Sequence, residues 1–92
     1  MAWVFKGKRE IVCDEICTHN HLVMNSVIKS ISVQYTVNVE KQISNQEEIY
    51  QDFYINGVKF NLYCDWVGCY IQTYSSEGEQ ILSTIKQRLE QI

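Results

Sequence analysis

The residue types best able to do chemistry in this 92-residue chain are its four cysteines and two histidines. On a helix, Cys13, Cys17 and His21 would lie along one edge, while Cys64 and Cys69 flank a loop far along the chain. Thiolates and imidazoles are ligands that zinc prefers, but structural zinc sites use tighter cysteine pairs than the C-x₃-C and C-x₄-C found here. A zinc-stabilised interaction module is therefore an alternative only. We predict no metal ligand and no cofactor, and we expect buried free thiols.

Catalysis has little support in the sequence. His19 and His21 lie near Cys17, and Asp14 and Glu15 precede them. Nothing in this spacing brings a nucleophile, a base and an orienting group together in a cleft. The acidic pair is typical of a solvated helix start, and the four glycines are scattered, so no glycine-rich phosphate loop is present. We expect a protein without enzymatic activity.

The charge balance limits the classes of partner. Eleven acidic and eight basic residues give a net charge of −3, which disfavours binding to a phosphate backbone and favours a basic protein. No apolar run approaches the ~20 residues of a membrane span. Lys6, Lys8 and Arg9 interrupt the N-terminus too early for a signal peptide. We therefore expect a cytoplasmic protein with no membrane contact and with its thiols reduced.

Three segments in the middle of the chain have the pattern of β-strands. Apolar and polar residues alternate strictly over residues 30–40, which predicts a half-buried strand. Asn56-Gly57 separates two further strand patterns, residues 49–55 and 58–64. Because Asn and Gly tolerate positive φ, this dipeptide predicts a two-residue type I′ hairpin and one register. Phe53 then lies opposite Phe60, and Tyr50 lies opposite Tyr63.

The remaining elements complete the predicted fold. A fourth strand, residues 69–74, follows a four-residue loop that places Cys64 opposite Cys69. Residues 76–92 form a helix capped by Ser76, and residues 12–29 are predicted as another helix. Residues 3–5 form a short strand ahead of a turn. The sequence thus predicts one α+β domain over residues 1–92: a four-stranded antiparallel β-meander with an N-terminal and a C-terminal helix packed on one face.

The predicted register separates the side chains of the meander into two faces. The inner face, covered by the helices, holds Ile49, Phe53, Ile55, Val58, Phe60, Leu62 and Ile71. The outer face carries Tyr50, Tyr54, Tyr63, Tyr70 and Tyr74 beside Asp52, Lys59, Asn61 and Gln72. A surface rich in tyrosine and amide side chains resembles an antibody paratope. Cross-strand tyrosine pairs that merely stabilise a solvated sheet, and a homodimer through the same face, are the two alternatives.

Trp66, at the tip of the loop after the third strand, is a second candidate anchor. It either contacts a partner or folds back onto the core. Direct nucleic-acid binding is disfavoured, because bases stack on aromatic faces ringed with cations and this face has only Lys59 at its centre.

We therefore predict a small protein-binding inhibitor or adaptor that occludes a surface of another protein. Size, charge and composition favour a toxin-immunity protein or a phage-encoded inhibitor of a bacterial defence nuclease, such as an anti-CRISPR protein. The partner would be a basic nucleic-acid enzyme. The alternatives are the zinc-stabilised module and a homo-oligomeric structural protein.

Overall fold

The structure, a computed structural model, describes residues 2–13, 21–45, 47–65 and 67–90. In chain order these residues form β1 (Val4–Phe5), β2 (Glu10–Cys13), α1 (His21–Ser32), β3 (Val37–Val39), β4 (Ile43–Ser44), β5 (Ile49–Ile55), β6 (Val58–Cys64), β7 (Cys69–Thr73) and α2 (Ser76–Glu90). The strands form one antiparallel sheet in the order β1-β2-β7-β6-β5-β3, and β4 also pairs with β5. The class is α+β, as predicted, but the sheet has seven strands instead of four.

The turn between β5 and β6 fixes the centre of the sheet. Asn56 and Gly57 have φ angles of 52° and 78°, the left-handed conformation that a type I′ turn requires. The pairing of β5 with β6 is the predicted one, and it places Phe53 opposite Phe60. Their rings stack with centroids 5.1 Å apart, and burying each stabilises the fold by about 1.5–3 kcal/mol.

The loop between β6 and β7 is held by an aspartate. One carboxylate oxygen of Asp65 accepts hydrogen bonds from the amides of Val67 (2.8 Å) and Gly68 (3.2 Å), and the Asp65 amide donates to the Gly68 carbonyl (3.0 Å). Aspartate favours such turns because its side chain can bond to the backbone two residues on. The predicted four-residue loop is confirmed, and Cys64 lies opposite Cys69.

Cys64 and Cys69 are joined by a disulfide, with Cα atoms 4.3 Å apart. The expectation of free thiols is therefore wrong for this pair. That expectation rested on the redox compartment, whereas directly opposed residues on adjacent strands have the Cβ geometry that a disulfide needs. Cys13 remains a free, buried thiol.

The helix predicted over residues 12–29 is wrong at its N-terminal end. There the chain forms β2, which pairs with β7 so that Ile11 lies opposite Ile71. Ile11 and Cys13 are buried because both point to the inner face, as alternate residues of a strand do. Of the rest of this stretch, residues 21–29 belong to α1, and residues 14–20 lie outside the described part of the chain.

The strand predicted over residues 30–40 is also largely wrong. Its first residues belong to α1, where Met24, Val27 and Ile31 are fully buried at helical spacing. Val33, which the alternating pattern places beside Ile31, is 68% exposed instead. Both periodicities fit this stretch, and packing of three side chains on the core favours the helix. Only β3 remains of the predicted strand.

A bulge separates β3 from β4 along the same edge of β5. Val39 pairs with Phe53, and Ile43 pairs with Tyr50. Four residue steps on one strand thus match three on the other, so residues 40–42 contain one extra residue. The extra residue reverses the alternation and brings Ile43 to the outer face beside Tyr50.

The core lies between the inner face of the sheet and both helices. The residues predicted to face inward are buried, except that Val58 is half-buried. The helices contribute Met24, Val27, Ile31, Leu82, Ile85 and Leu89 to the same cluster. Trp3, at 1% exposure, is a core residue that the sequence analysis missed. Neither helix in the described part of the chain is long and apolar enough to cross a membrane.

The N-terminus of α2 is capped one residue earlier than predicted. The Ser75 hydroxyl accepts a hydrogen bond from the Gly78 amide (3.1 Å), and the Ser75 carbonyl accepts one from the Glu79 amide (3.0 Å). Ser75 is therefore the N-cap, and Ser76 is the first helical residue. Glu77 and Glu79 lie in the first turn, where negative charge stabilises a helix.

Gly78 allows α2 to contact the sheet closely, and we expect Gly78→Ala to destabilise the protein. An alanine Cβ would overlap the side chain of Thr73, which is 3% exposed and donates to the Lys59 carbonyl (3.2 Å). Overpacking of this kind costs about 1–3 kcal/mol, whereas alanine in an open helical position gains up to about 1 kcal/mol over glycine. Urea unfolding measures the sign, with the exposed Ser83→Ala as control. An unchanged or raised stability would contradict the close contact.

Candidate protein-binding surface

Three tyrosines on adjacent strands form a continuous aromatic row across the outer face. Tyr63 lies opposite Tyr50 on one side and Tyr70 on the other. Ring centroids are 5.0 Å apart in the first pair and 5.1 Å in the second, with the planes tilted by 36° and 35°. These separations lie in the range of favourable aromatic pairs. The rings of this tyrosine row are half-buried by one another, so their arrangement is set before any partner arrives.

Aliphatic side chains extend the tyrosine row at both ends. Beyond Tyr70 the register continues to Val12 and then to Val4, which is 59% exposed. At the other end the bulge places Ile43, 63% exposed, beside Tyr50. These three residues were not predicted as part of the face. The strands of Val12 and Ile43 were not predicted, the short strand over residues 3–5 was predicted without a pairing partner, and no local signal marks the bulge. The row thus spans six strands.

A second row of the outer face consists of polar side chains that form hydrogen bonds and an ion pair. Asn61 donates to the Asp52 carboxylate (2.9 Å), and Gln72 donates to the carboxylate of Glu10. Lys59 lies 3.6 Å from the second oxygen of Asp52. The structure thus brings together four residues that the sequence analysis selected, and adds Glu10, which it missed. Paired side chains lose less entropy on binding than free ones.

Tyr54 and Tyr74 frame Lys59 in a third row. Tyr54, on β5, lies opposite Lys59, on β6. The Lys59 ammonium is 5.8 Å from the centroid of the Tyr74 ring, within cation–π range. Burial, followed by a hydrogen bond to Glu40, raises the pKa of the Tyr54 hydroxyl. Tyr74 is 53% exposed, which makes it the most accessible of the five predicted tyrosines.

The central hydroxyl of the tyrosine row is fixed by the β6–β7 loop. Tyr63 donates to Asp65 (2.7 Å) and lies 3.4 Å from a carboxylate oxygen of Glu48. Burial and the bond to Asp65 raise the pKa of Tyr63. Burial alone would raise the pKa of Asp65 as well, but hydrogen bonds from Tyr63 and from loop amides outweigh it and hold that pKa below its usual value. The hydroxyl therefore stays protonated and the carboxylate stays charged.

Carboxylates surround the tyrosine row. Five lie in the outer rows or bond to their tyrosines: Glu10, Glu40, Glu48, Asp52 and Asp65. Among the described residues of the three rows, Lys59 is the single cation. The face is therefore electronegative, which disfavours a nucleic-acid backbone.

The basic residues of the N-terminal hairpin lie in a cleft of about 690 Å³ that adjoins the second row. Glu10 and Gln72 of that row line it together with Lys6, Lys8, Arg9, Thr73 and Glu79. Arg9 is 3.8 Å from the Glu79 carboxylate and donates to the Tyr74 carbonyl (3.2 Å). Three described cations thus lie beside the Glu10 end of an outer face whose other charges are mainly acidic.

The remaining candidates of the sequence analysis are Trp66 and the cysteines. Trp66 and Cys17 lie outside the described residues. Cys64 and Cys69 are bonded to each other, and Cys13 is two strands from Cys64, about 9.5 Å away. Within the ranges that the structure describes, no group of three histidine, cysteine or acidic side chains could hold a metal ion.

We expect Tyr63→Phe to raise the pKa of Asp65, because it removes the hydroxyl that bonds the ionised carboxylate. An aspartate with a lowered folded-state pKa stabilises the fold above its unfolded pKa and loses that contribution as the pH falls through the folded value. The variant should therefore be less stable at neutral pH and begin to lose stability at a higher pH on acidification. Carboxyl ¹³C NMR titration and urea unfolding against pH measure both effects.

Tyr54→Phe is the matched control, since the Tyr54 hydroxyl bonds to Glu40 and not to Asp65. An Asp65 pKa that is the same in Tyr63→Phe as in the unsubstituted protein would contradict the assigned bond.

Comparison of the chain with protein-family models, with curated proteins and with solved structures finds no match.

Proposed function

We propose that this protein is an inhibitor or adaptor that docks its outer face onto a basic surface of another protein and acts by occluding it. The observation that supports this most directly is the tyrosine row, which neither helix covers and which carboxylates surround. The chain needs no catalytic group for this role.

The tyrosine row has the properties of a binding hot spot. Tyrosine offers a large contact area and a polar hydroxyl at the cost of only two side-chain torsions. Tyr50, Tyr63 and Tyr70 already pack on one another, so little entropy remains to be lost when a partner covers them. The exposed aliphatic residues at both ends of the row add apolar area without interrupting it.

The charge of the face supports a basic partner. Complementary potentials steer two proteins together and reject like-charged competitors. Carboxylates around an aromatic centre match lysine and arginine side chains around a substrate-binding surface. A nucleic-acid enzyme, such as a bacterial defence nuclease or a toxin, presents such a surface because it must attract phosphate. Covering that surface would exclude the nucleic acid, and a standard interface buries about 800 Å² on each partner.

The same charges disfavour a second copy of this chain as the occupant. Two outer faces docked on each other would bring two sets of carboxylates together around one lysine each. Like charges that face each other across an interface weaken binding by roughly several kcal/mol. A zinc-stabilised module is also disfavoured while Cys64 and Cys69 are bonded to each other.

We expect the double variant Tyr63→Ala, Tyr70→Ala to keep its fold and to lose its protein partner. The tagged protein, used to capture partners from bacterial lysate, should retain one stoichiometric basic protein. Truncation of a hot-spot residue costs about 2 kcal/mol or more, so affinity should fall about 30-fold or further. Calorimetry with the identified partner measures the loss, and circular dichroism checks the fold.

Gln80→Ala, Gln87→Ala is the matched control, because both residues are exposed on α2. This double variant should bind as the unsubstituted protein does. Equal binding by the tyrosine double variant would show that the partner contacts another surface. A concentration-dependent dimer in light scattering, abolished by Tyr63→Asp, would identify a second copy as the occupant.

Charge steering gives a separate prediction. Glu48 is half-buried beside the Tyr63 hydroxyl, and Glu48→Gln removes its charge with little change in shape. We expect a lower association rate for the partner, a weaker dependence of that rate on salt, and a nearly unchanged dissociation rate. Surface plasmon resonance at several ionic strengths measures all three. An association rate insensitive to salt in the unsubstituted protein would contradict a basic partner.

A further inference from the structure

Three cysteines form a row across the inner face of the sheet. The strands β2, β7 and β6 are neighbours in that order. Cys13 lies opposite Cys69, and Cys69 lies opposite Cys64. Cys69, in the middle, is bonded to Cys64 on one side and faces the free thiol of Cys13 on the other. All three are completely buried.

The register of these strands places the three cysteines in the order that thiol–disulfide exchange needs. The attacking sulfur approaches the central sulfur from the side opposite the leaving sulfur, since the new bond forms along the axis of the old one. The row crosses three adjacent strands, so the residues that would supply the attacking, central and leaving sulfurs follow one another in that order. Directly opposed residues of antiparallel strands have Cα atoms about 4.5–5.5 Å apart, within the range that a disulfide spans.

We propose that Cys13, Cys69 and Cys64 form an internal thiol–disulfide exchange site. The Cys13 thiolate attacks Sγ of Cys69, and a Cys13–Cys69 bond forms. The Cys69–Cys64 bond breaks, and its electron pair leaves with Sγ of Cys64. The proton lost from Cys13 is replaced by one taken up at Cys64. One disulfide and one thiol are present before and after, so the step needs no oxidant or reductant.

Burial favours this internal route over reaction with dissolved thiols. A reagent in solvent reaches the Cys64–Cys69 bond only after local opening, because both residues have no exposed area. Cys13 is already opposite Cys69 on the neighbouring strand, and groups held in position react as if at very high concentration.

The two disulfide forms brace different parts of the protein. The Cys64–Cys69 bond closes a sequence separation of 5 residues and holds the loop whose Asp65 fixes Tyr63. A Cys13–Cys69 bond would instead tie β2 to β7, elements from opposite ends of the chain, and would free Cys64. Exchange therefore transfers the covalent restraint from the β6–β7 loop to the N-terminal part of the sheet.

The test isolates the alternative bond. In a Cys17→Ser background, so that only the three row cysteines remain, Cys64→Ser leaves Cys13 and Cys69 as the two thiols. Oxidised glutathione is added under native conditions, and peptide mass spectrometry without reduction maps the bonds. We expect a Cys13–Cys69 disulfide. Two unbridged or glutathionylated thiols in a protein with native circular dichroism would overturn the proposal.

Cys69→Ser in the same background is the matched control. Removing the middle residue leaves Cys13 and Cys64 two strands apart, beyond disulfide reach, so no bond should form between them. A Cys13–Cys64 bond in that protein would contradict the in-line order of the row.

A second measurement needs no change in the row itself. The Cys17→Ser protein with its disulfide intact is incubated at pH 8, where part of a thiol population is thiolate, and is then quenched with acid and mapped. We expect a Cys13–Cys69 fraction that grows with time to a plateau. A map that shows Cys64–Cys69 alone at every time would overturn the exchange, even if the Cys64→Ser protein failed to fold.

Discussion

The two tight connections that join β5, β6 and β7 constrain the rest of the molecule. Asn56-Gly57 allows one register, and because side chains alternate between the faces of a strand, one register assigns every residue of both strands to a face. The Asp65 loop does the same for β7. The inward set builds the core on which both helices pack. The outward set, which no helix or strand of the described residues covers, contains the tyrosines and most of the carboxylates that surround them.

The central hairpins and α2 could be predicted because their signals are local. A turn dipeptide and an apolar stripe each act within a few residues, so a single sequence suffices. The pairing of β2 with β7 could not be predicted, since it depends on contact between segments that are remote along the chain. Nor could periodicity alone decide the end of α1, where Ile31 fits both a helix and a strand.

Prediction of the candidate site was limited in the same way. The tyrosine row follows from the hairpin register, but Ile43 joins it through a bulge over residues 40–42, which no glycine or proline marks. The cysteines show the opposite case. The predicted register correctly placed Cys64 opposite Cys69. The expected compartment favoured free thiols, but the two residues form the disulfide that their register allows.

The bulge also determines how the sheet can meet other chains. An unbroken edge strand offers a row of free amides and carbonyls that can recruit a foreign strand and begin aggregation. Here the edge beside β5 is interrupted between β3 and β4, and the opposite edge, β1, is only two residues long. Neither edge is a regular template for strand addition. A sheet with seven strands in a chain of this size is thereby protected from growing by edge-to-edge polymerisation, and its broad side is left for selective contact.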